Sequence, residues 1–488
     1  MKIFPPHATD FYKTGHIRQY PEGTGMVYSN FTCRSDKWAN VLPDFDHKVV
    51  FFGLQGVVQW LLIDLWNREF FMRPSEEVIG RFKRRMDSSL GEGSVGVEAI
   101  GRLHDLGYLP VKIKALPEGS RVNLRVPLYT IVNTIPEFYW VTNYLETQLS
   151  AETWKAITSA TTAYEFKRLL TKYAKETGAP LDFVPWQGHD FSFRGMSGIF
   201  DATQSGAGHL TSFTGTDTIS AIDYLENYYR GGETFIGGSV PATEHSVMCM
   251  GGEANEVQTF LRLITEVYPK GIVSIVSDTW DFWHVMTLTA LRLKKVIMGR
   301  EGKVVFRPDS GDPVKIICGD PTHKEAAERK GAVQCLWDIF GGTVNEQGYK
   351  VLDPHVGLIY GDSINLDRAS QILEGLRDNG FASCNIVFGI GSYTYQAVTR
   401  DSFGTAIKAT FGRVNGVAHS ISKSPATDDG VKHSASGLLR VEKEGNDFVL
   451  YQEQTVEDER RGEMEVVFED GILRRNQSIA EIRSLLKI

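Results

Sequence analysis

The sequence has few cysteines and no long uninterrupted apolar segment. Its five cysteines are scattered without a C-x-x-C pair, which gives little support to a zinc or redox site and favours a reducing compartment. The most apolar stretch, residues 49–66, contains Gln55, Gln59 and Asp64, so it predicts a core helix and not a membrane span. The opening MKIFPPHATD has prolines and an aspartate where a signal peptide needs an apolar core. We therefore expect a cytoplasmic protein without a membrane partner.

Positive charge is also scarce. Lys and Arg together number 52 against 60 Asp and Glu, which gives a formal net charge of −8. This balance argues against non-specific nucleic-acid binding, although it leaves room for a local basic pocket for a phosphorylated small molecule. The chain also lacks a Walker phosphate loop and a G-x-G-x-x-G fingerprint, which excludes the nucleotide-binding domains built on those motifs.

The second half of the chain contains short apolar runs that end in an aspartate. They are residues 209–217 (HLTSFTGTD), 273–278 (VSIVSD), 304–309 (VVFRPD) and 358–362 (LIYGD), and a related run at 385–389 (NIVFG) ends in a small-residue turn. Continuous apolar strands are typical of a parallel sheet covered on both faces, and polar strand exits are typical of the catalytic rim of a β/α barrel. Grouped carboxylates repel one another unless cations or hydroxyl-rich ligands lie between them. The series therefore indicates an enzyme.

Three segments of the 488-residue chain differ in pattern. Residues 1–181 mix strands with helices and predict an α+β domain. Residues 182–400 alternate strands with helices, which predicts a β/α barrel-like catalytic domain. Residues 401–488 return to antiparallel strands, with a hairpin signal at Asp470 and Gly471, and are expected to complete the N-terminal domain. The predicted fold class is α/β, with a barrel-like core and a second β-rich α+β domain built from both termini.

Two helices have clear sequence signals. Residues 365–378 carry apolar side chains at helical spacing and are followed by Gly380. Ser478 and Glu481 have the spacing of a capping box, which predicts a closing helix.

Arg307, Pro308 and Asp309 directly follow one of the apolar runs. A guanidinium group at this position suits a phosphate or pyrophosphate because it binds two oxygens at once. Pro308 stiffens the strand exit, and Asp309 suits sugar hydroxyls or a magnesium ion. An ion pair on an ordinary turn explains the same residues equally well when they are considered alone.

Gly361 with Asp362, and Gly391 with Ser392, end the last two runs. The final strand loops of β/α barrels often bind phosphate through backbone N–H groups, and glycine lets the backbone approach the anion. Each segment alone is as readily explained as a simple turn.

The segment HDFSFRG alternates aromatic and polar residues and ends in a basic side chain. As a strand it would place Phe191 and Phe193 on one face, where core packing is the usual role of aromatic residues. The functional interpretation is that a phenyl face stacks on a flat heteroaromatic ring while Arg194 holds an anion.

His245 and Asp217 each have a structural and a functional interpretation. A lone histidine is more often structural, but Glu244 beside it would fix the tautomer of a catalytic His245 and raise its basicity. Asp217 has the position of an N-cap for the next helix, a role that is compatible with ligand binding at a barrel rim.

In this order, these residues resemble the nicotinamide phosphoribosyltransferase family. The resemblance runs over nearly the whole chain, from ATDFYK through HDFSFRG, GTDT, SVPATEHS, SIVSD, RPDSG, YGD and FGIGS to TRD. It implies a type II phosphoribosyltransferase fold and a homodimer with shared active sites. The implied reaction joins nicotinamide to phosphoribosyl pyrophosphate (PRPP) in the presence of Mg²⁺, giving nicotinamide mononucleotide and pyrophosphate for NAD salvage.

The resemblance also implies roles for single residues. Phe191 and the partner subunit's Tyr12 would enclose the pyridine ring, and Asp217 would accept a hydrogen bond from its carboxamide. The residues implied for pyrophosphate are Arg194, His245 and Arg307, together with the partner subunit's Arg34 and Lys423. The residues implied for the ribose and its 5′-phosphate are Asp309, Gly361, Asp362, Gly391 and Ser392, with Arg400 near the phosphate end. Optional ATP hydrolysis would pass through a phosphorylated His245 oriented by Asp278; the resemblance assigns no magnesium ligands.

The chain departs from the family pattern at one point. Family members often have three glycines where this chain has Gly391, Ser392 and Tyr393. Ser392 still offers its backbone N–H to a phosphate and adds a hydroxyl group to the turn.

Three competing functions fit parts of the same pattern. A nicotinate phosphoribosyltransferase would share most of the site, but the carboxylate of Asp217 repels nicotinate. A catalytically silent PRPP- or nucleotide-binding regulator would bind the same ligands without turnover. A sugar-phosphate isomerase on a similar barrel would explain the phosphate turns, but it leaves the arginines and the aromatic platform unexplained.

Overall fold

Strands from the two ends of the chain share one antiparallel sheet, whereas strands from the middle form a parallel sheet. The computed structural model describes residues 3–422 and 435–488. The strands are β1 (Thr24–Thr32), β2 (Lys48–Val50), β3 (Val111–Ala115), β4 (Arg121–Asn123), β5 (Pro127–Asn133), β6 (Gly188–Asp190), β7 (Gly215–Thr216), β8 (Val273–Val276), β9 (Val304–Arg307), β10 (Gly342–Val344), β11 (Lys350–Leu352), β12 (Val356–Tyr360), β13 (Val387–Ile390), β14 (Ala406–Val414), β15 (Val417–Ser420), β16 (Leu438–Glu444), β17 (Asp447–Gln454), β18 (Glu465–Glu469) and β19 (Ile472–Leu473).

The α-helices vary widely in length. They are α1 (Phe11–Gln19), α2 (Leu54–Val57), α3 (Ser75–Leu90), α4 (Glu98–Leu106), α5 (Val141–Tyr144), α6 (Glu146–Thr177), α7 (Val184–Gln187), α8 (Ile199–His209), α9 (Ile219–Tyr228), α10 (His245–Gly251), α11 (Glu256–Arg262), α12 (Phe282–His284), α13 (Ala290–Met298), α14 (Pro313–Cys318), α15 (Ala326–Lys330), α16 (Ala332–Phe340), α17 (Leu366–Asp378), α18 (Ser392–Tyr395), α19 (Val456–Glu459) and α20 (Ile479–Leu485). Shorter 3₁₀ and π turns connect or extend several of them. In the described residues, no helix combines the length and apolar character that a membrane crossing requires.

The antiparallel sheet has seven strands in the order β15-β14-β1-β5-β3-β18-β19. Strand β1 pairs with β5 on one side and with β14 on the other, so an N-terminal strand lies directly beside a C-terminal one. This confirms the second β-rich domain built from both termini. The hairpin signal is also confirmed, because Asp470 (φ 51°) and Gly471 (φ 79°) adopt the left-handed conformations that a tight β18–β19 turn requires.

The parallel sheet has six strands in the order β7-β6-β13-β12-β9-β8. Further parallel bridges join Gly238 to Gly215 and Ala242 to Ser274, so the segment after α9 lies between the two edge strands β7 and β8. The sheet thereby curves into a barrel-like ring, which confirms the predicted core. Because neighbouring strands run in one direction, the side chains after their carboxyl ends meet at one rim.

The long helix α6 packs against both parts of the molecule. Ile157 in its first half belongs to the apolar cluster of the antiparallel domain, and Phe166 in its second half belongs to the cluster around the parallel strands. The helix ends at Thr177 and is followed by Gly178 (φ 64°), which adopts the left-handed conformation without steric cost because glycine has no Cβ atom. The predicted helix at 365–378 corresponds to α17, and the capping box of Ser478 and Glu481 is present at α20.

Three sequence expectations about elements were wrong. Most of the run 209–217 is not a strand: His209 ends α8, and only Gly215–Thr216 pairs in the sheet. The predicted helix within 49–66 begins at Leu54, because residues up to Val50 form β2. Short apolar runs are compatible with a buried helix as well as a buried strand, which explains both errors.

The third error concerns the HDFSFRG segment. Strand β6 ends at Asp190, and Phe193–Gly195 forms a 3₁₀ turn, so Phe191 and Phe193 do not share a strand face. The carboxylate of Asp190 accepts the backbone N–H of Ser192 at 2.9 Å. This local hydrogen bond competes with strand pairing and turns the chain.

Candidate active site

The rim of the parallel sheet opens into a cavity of about 1030 Å³. The predicted site residues that line it are Phe191, Arg194, Asp217, His245, Arg307, Asp309, Gly361 and Asp362. They come from the exits of different strands, so the fold brings together side chains that are far apart in the sequence. The cavity therefore contains two arginines, a histidine, several carboxylates and an aromatic ring.

Asp217 at the exit of β7 is held by two side chains. His189 Nε2 donates to Asp217 Oδ1 at 3.0 Å, and Ser239 Oγ donates to the same oxygen at 2.6 Å. Partial burial raises the pKa of Asp217, but the hydrogen bonds from His189 and Ser239 and the charge of Arg307 lower it below its ordinary value overall. Asp217 is therefore ionised at neutral pH. The N-cap interpretation is wrong, because Thr218 is the N-cap of α9 and no side chain caps that helix.

Phe191 follows β6 and lies against two glycines of neighbouring strand ends. Its backbone N–H donates to Ile390 O at 3.0 Å, which fixes the start of the turn. A Cβ atom on Gly389 would lie 2.3 Å from the Phe191 ring, and one on Gly361 would lie 3.0 Å from it. Glycine at these positions therefore gives the phenyl ring its place at the cavity wall. For Gly361 this packing role is additional to the predicted contact with phosphate.

Asp278, after β8, does not line the cavity but contacts two residues that do, His245 and Asp309. Its Oδ1 lies 3.2 Å from His245 Nε2, and its Oδ2 accepts the Asp309 N–H at 2.8 Å and the Ser310 hydroxyl at 2.6 Å. The Asp278 side chain is only 4% exposed, whereas that of His245, the first residue of α10, is 51% exposed. The buried Asp278 therefore orients the imidazole ring of the more exposed His245. The expected contribution of Glu244 is not seen, because Glu244 accepts the hydroxyl of Ser246 instead.

Arg307 and Asp309 lie side by side at the exit of β9, with the buried Pro308 between them in the chain. Arg307 Nη2 donates to Thr243 O at 2.7 Å, and its Nε lies 3.3 Å from Asp309 Oδ2. Burial raises the pKa of Asp309 above its ordinary value; the charge of Arg307 opposes this, while Asp278 and Asp362 add to it. This end of the cavity can accept a cationic ligand or a metal-bound anion.

The predicted phosphate turn begins α18. Gly391 is the N-cap and Ser392 the first helical residue, directly after β13. Neither is in the cavity lining, but the Ser392 side chain packs against the turn that carries Arg194: a Cβ atom on Gly195 would lie 2.0 Å from Ser392 Oγ and 2.4 Å from Ser392 Cβ. The serine therefore fits only because residue 195 is a glycine.

Three predicted residues lie away from the cavity of their own chain. Tyr12 is on α1 and is 60% exposed. Arg34 donates from Nε to Gly404 O at 2.8 Å, and the exposed Arg400 pairs with Asp401 at 3.2 Å. Burial and then the charge of Arg400 lower the pKa of Arg34, so these two arginines lie close together. Lys423 falls outside the described residues.

Sequence reasoning missed several residues that hold the site together. They are His189 and Ser239 beside Asp217, and Thr243 and Ser310 beside Arg307 and Asp278. The only sequence signal for His189 was that it directly precedes Asp190 in the HDFSFRG segment. In residues 3–422 and 435–488, no group of three or more His, Cys, Asp or Glu side chains has an arrangement that would hold a metal ion.

Two family models match the chain. The nicotinate phosphoribosyltransferase (NAPRTase) family matches residues 186–470, and the nicotinamide phosphoribosyltransferase N-terminal domain matches residues 6–72. A nicotinamide phosphoribosyltransferase of Acinetobacter baylyi is 61% identical over 99% of this chain and 97% of its own length. One of Mycoplasma pneumoniae is 34% identical over 88% of this chain and 94% of its own length.

Solved structures agree on the fold. Nicotinate-nucleotide pyrophosphorylase from Pyrococcus furiosus has a TM-score of 0.57 at 14% identity and covers 99% of this chain and 94% of its own. Human nicotinic acid phosphoribosyltransferase has a TM-score of 0.56 at 15% identity and covers 98% and 92%. At such identities the likeness concerns the fold alone. The chain belongs to the nicotinate phosphoribosyltransferase family, and over its whole length it is similar to the nicotinamide phosphoribosyltransferases.

Proposed function

We propose that this protein transfers the phosphoribosyl group of PRPP to nicotinamide, giving nicotinamide mononucleotide and pyrophosphate in NAD salvage. The observation that carries the proposal is the common cavity of Phe191, Asp217, Arg194 and Arg307. It offers a stacking surface and a hydrogen-bond acceptor for a pyridine carboxamide, beside guanidinium groups for pyrophosphate. The names of the similar proteins support the same substrate.

The chemistry needs charge stabilisation more than proton transfer. Cleavage of the ribose C1–O bond places positive charge on the sugar and negative charge on the departing pyrophosphate. Arg194 and Arg307 would stabilise the negative charge of the pyrophosphate, and the carboxylate of Asp309 would stabilise the positive charge that develops on the ribose. The pyridine nitrogen attacks as a neutral nucleophile and needs no base, so the positioning of the ring by Phe191 and Asp217 would contribute most.

Asp309 and Asp362 fit a magnesium ion that arrives with PRPP. Both carboxylates line the cavity, and oxygen ligands are those that Mg²⁺ prefers. Magnesium usually takes one or two protein carboxylates and draws its other ligands from substrate phosphates and water. The bound ion would neutralise part of the charge of pyrophosphate as it leaves.

A homodimer would complete the site. The exposed Tyr12 and the half-buried Arg34 do not line the cavity of their own chain, so they are available to a second copy. In that arrangement the partner subunit's Tyr12 would cover the pyridine ring, and the partner subunit's Arg34 and Lys423 would meet the phosphates. Arg400, which the resemblance puts near the 5′-phosphate, does not line the cavity either. We propose a cytoplasmic location, because the cysteines of the described residues are free, as is usual in a reducing compartment.

His245 has the environment for optional ATP coupling. Its Nε2 faces Asp278 at 3.2 Å, which leaves Nδ1 to accept the γ-phosphoryl group of ATP, with ADP leaving. Asp278 would stabilise the imidazolium that this transfer produces. We expect His245→Ala to abolish stimulation by ATP while slower transfer remains measurable; full stimulation in this variant would contradict a phosphohistidine.

Product formation tests the proposed reaction. The protein is incubated with PRPP, Mg²⁺ and either nicotinamide or nicotinate, and mass spectrometry identifies the nucleotide that forms. We expect nicotinamide mononucleotide as the main product. Nicotinate mononucleotide as the main product would favour a nicotinate phosphoribosyltransferase. Binding of PRPP without turnover of either pyridine would favour a silent regulator.

A further inference from the structure

The two donors that hold Asp217 bind only one of its oxygens. His189 Nε2 and Ser239 Oγ both contact Oδ1, and they lie 3.4 Å from each other. Within the described residues, no donor to Oδ2 is found among the hydrogen bonds of Asp217. One carboxylate oxygen is therefore fixed by the protein, and the other is left for a ligand.

His189 also contacts the aromatic side of the pyridine site. Its ring meets the Phe191 ring edge-on, with centroids 4.9 Å apart and planes at 60°. The His189 side chain is 11% exposed, and a Cβ atom on Gly215 would lie 2.7 Å from its Nδ1, so the ring is closely confined. A single buried imidazole thus touches both the stacking ring and the carboxylate.

We infer that His189, assisted by Ser239, is the positioning residue that sets the preference for a pyridine carboxamide over a pyridine carboxylate. This inference rests on the proposed function. By donating to Oδ1, His189 directs Oδ2 of Asp217 toward the cavity and holds Asp217 in its ionised form. Its edge contact sets the plane of Phe191 relative to that oxygen.

The physical reason is that the unpaired oxygen needs a donor. The NH₂ group of nicotinamide provides one, whereas the carboxylate of nicotinate provides none and adds like-charge repulsion. If Asp217 were free to rotate, it would turn toward solvent and the penalty for nicotinate would fall. The discrimination therefore depends on the fixed direction of the carboxylate as well as on its charge.

Two substitutions of His189 separate its two contacts. His189→Gln keeps an N–H donor for Asp217 but removes the ring, whereas His189→Phe keeps an aromatic ring against Phe191 but removes the donor. The full-length protein is assayed with saturating PRPP and varied nicotinamide or nicotinate, and kcat/KM is measured for each pyridine. PRPP dependence is measured in parallel, and circular dichroism with thermal unfolding confirms that each variant folds.

We expect His189→Phe to lower the ratio of kcat/KM for nicotinamide over nicotinate by about ten-fold or more, since a hydrogen bond to a charged group is lost. His189→Gln should keep the ratio within about three-fold while raising KM for nicotinamide, and Ser239→Ala should lower the ratio by about three- to five-fold. KM for PRPP should change less than about two-fold in all three variants, because the phosphate end is untouched.

The outcomes distinguish this inference from the proposed function. If the unaltered protein makes no nicotinamide mononucleotide, the proposed function fails. If it does, and folded His189→Phe and Ser239→Ala variants keep the original ratio, His189 has no positioning role. A purely structural role would lower kcat for both pyridines equally and would leave the ratio unchanged, which also contradicts the inference.

Discussion

Asp217 and Asp309 follow parallel strands at the same rim, yet the pKa values of their carboxyl groups shift in opposite directions. At the proposed pyridine end, hydrogen bonds from His189 and Ser239 outweigh burial and lower the pKa of Asp217. At the proposed phosphate end, burial and two further carboxylates outweigh Arg307 and His245 and raise the pKa of Asp309. The two positions have the same residue type and the same place in the fold, so the neighbours across the rim decide the chemistry.

The difference suits two kinds of ligand. A carboxylate that already has donors is stable without a ligand, and under the proposed function its free oxygen would select a neutral amide. A carboxylate crowded by other carboxylates is stabilised when a cation arrives, as a magnesium ion or a developing cationic sugar. The phosphate end is therefore electrostatically incomplete in the free protein, and the pyridine end is preorganised.

Loss of Arg307 should produce the largest effect, and it should act mainly at the proposed phosphate end. Arg307→Ala removes a guanidinium group that is 13% exposed and leaves Asp309 without its nearest positive charge. We expect kcat/KM for PRPP to fall by about 10³-fold or more, because charge-assisted bidentate contacts to pyrophosphate are lost. Initial rates at varied PRPP measure this. Arg307→Lys is the matched control and should recover only part of the loss.

Asp278→Asn should have the next largest effect and should sharpen the electrostatic contrast. The variant weakens the contact with His245, and the ATP-stimulated kcat should fall by about 10- to 100-fold, because a hydrogen bond to a charged group is weakened. Because the charge of Asp278 raises the pKa of Asp309, its removal lowers that pKa. If ionised Asp309 is needed, activity is lost as pH falls through its pKa, so the acid limb of kcat/KM should move to lower pH. If the acid limb of kcat/KM did not move, the ionisation of Asp309 would not be the cause of the loss of activity at low pH.

A methyl group on Gly195 should disturb the phosphate turn moderately. The added Cβ would lie 2.0 Å from Ser392 Oγ and 2.4 Å from Ser392 Cβ, so rotation of the hydroxyl alone does not relieve the clash. We expect Gly195→Ala to raise KM for PRPP by about five- to ten-fold and to leave KM for nicotinamide nearly unchanged. The double variant with Ser392→Gly should recover most of the affinity for PRPP. No recovery would mean that the clash lies elsewhere.

Glu152→Gln should affect stability and not activity. Burial, with a contribution from Asp201, raises the pKa of Glu152 to about 7. Because folding raises the pKa of Glu152, the protonated carboxyl group contributes its full share of stability at pH values below the ordinary pKa of a glutamate. This contribution is lost as the pH rises through about 7. The variant should therefore be more stable by about 1–2 kcal/mol at pH 8 and unchanged near pH 4.

Thermal unfolding at the two pH values measures this difference. Glu176→Gln, at the more exposed end of the same helix, is the matched control for the loss of one carboxylate. Glu152→Gln should leave the rate of phosphoribosyl transfer unchanged. A large fall in that rate would show that a carboxyl group outside the cavity, with a raised pKa, is also needed for activity. A raised pKa would then not distinguish Asp309 as a site residue.

Several features of this protein follow from local sequence. The apolar runs at 273–278, 304–309 and 358–362 became parallel strands with aspartates at their exits, because a buried strand needs apolar residues on both faces. Asp470 and Gly471 predicted their hairpin because few residues accept the left-handed conformations of its turn. The division of the chain at residues 181 and 400 stays a prediction.

The remaining features depend on neighbours that are distant in the chain. The run 209–217 is mostly helix and turn, and its own residues do not distinguish a buried helix from a buried strand. His189 and Asp217 are 28 residues apart, and His245 and Asp278 are 33 apart. Local sequence determined three of the parallel strands, β8, β9 and β12, and the polar residues at their ends. The curvature of the sheet sets the distances between the strand exits. Only this tertiary arrangement decided that Asp217 receives hydrogen-bond donors and that Asp309 lies near other carboxylates.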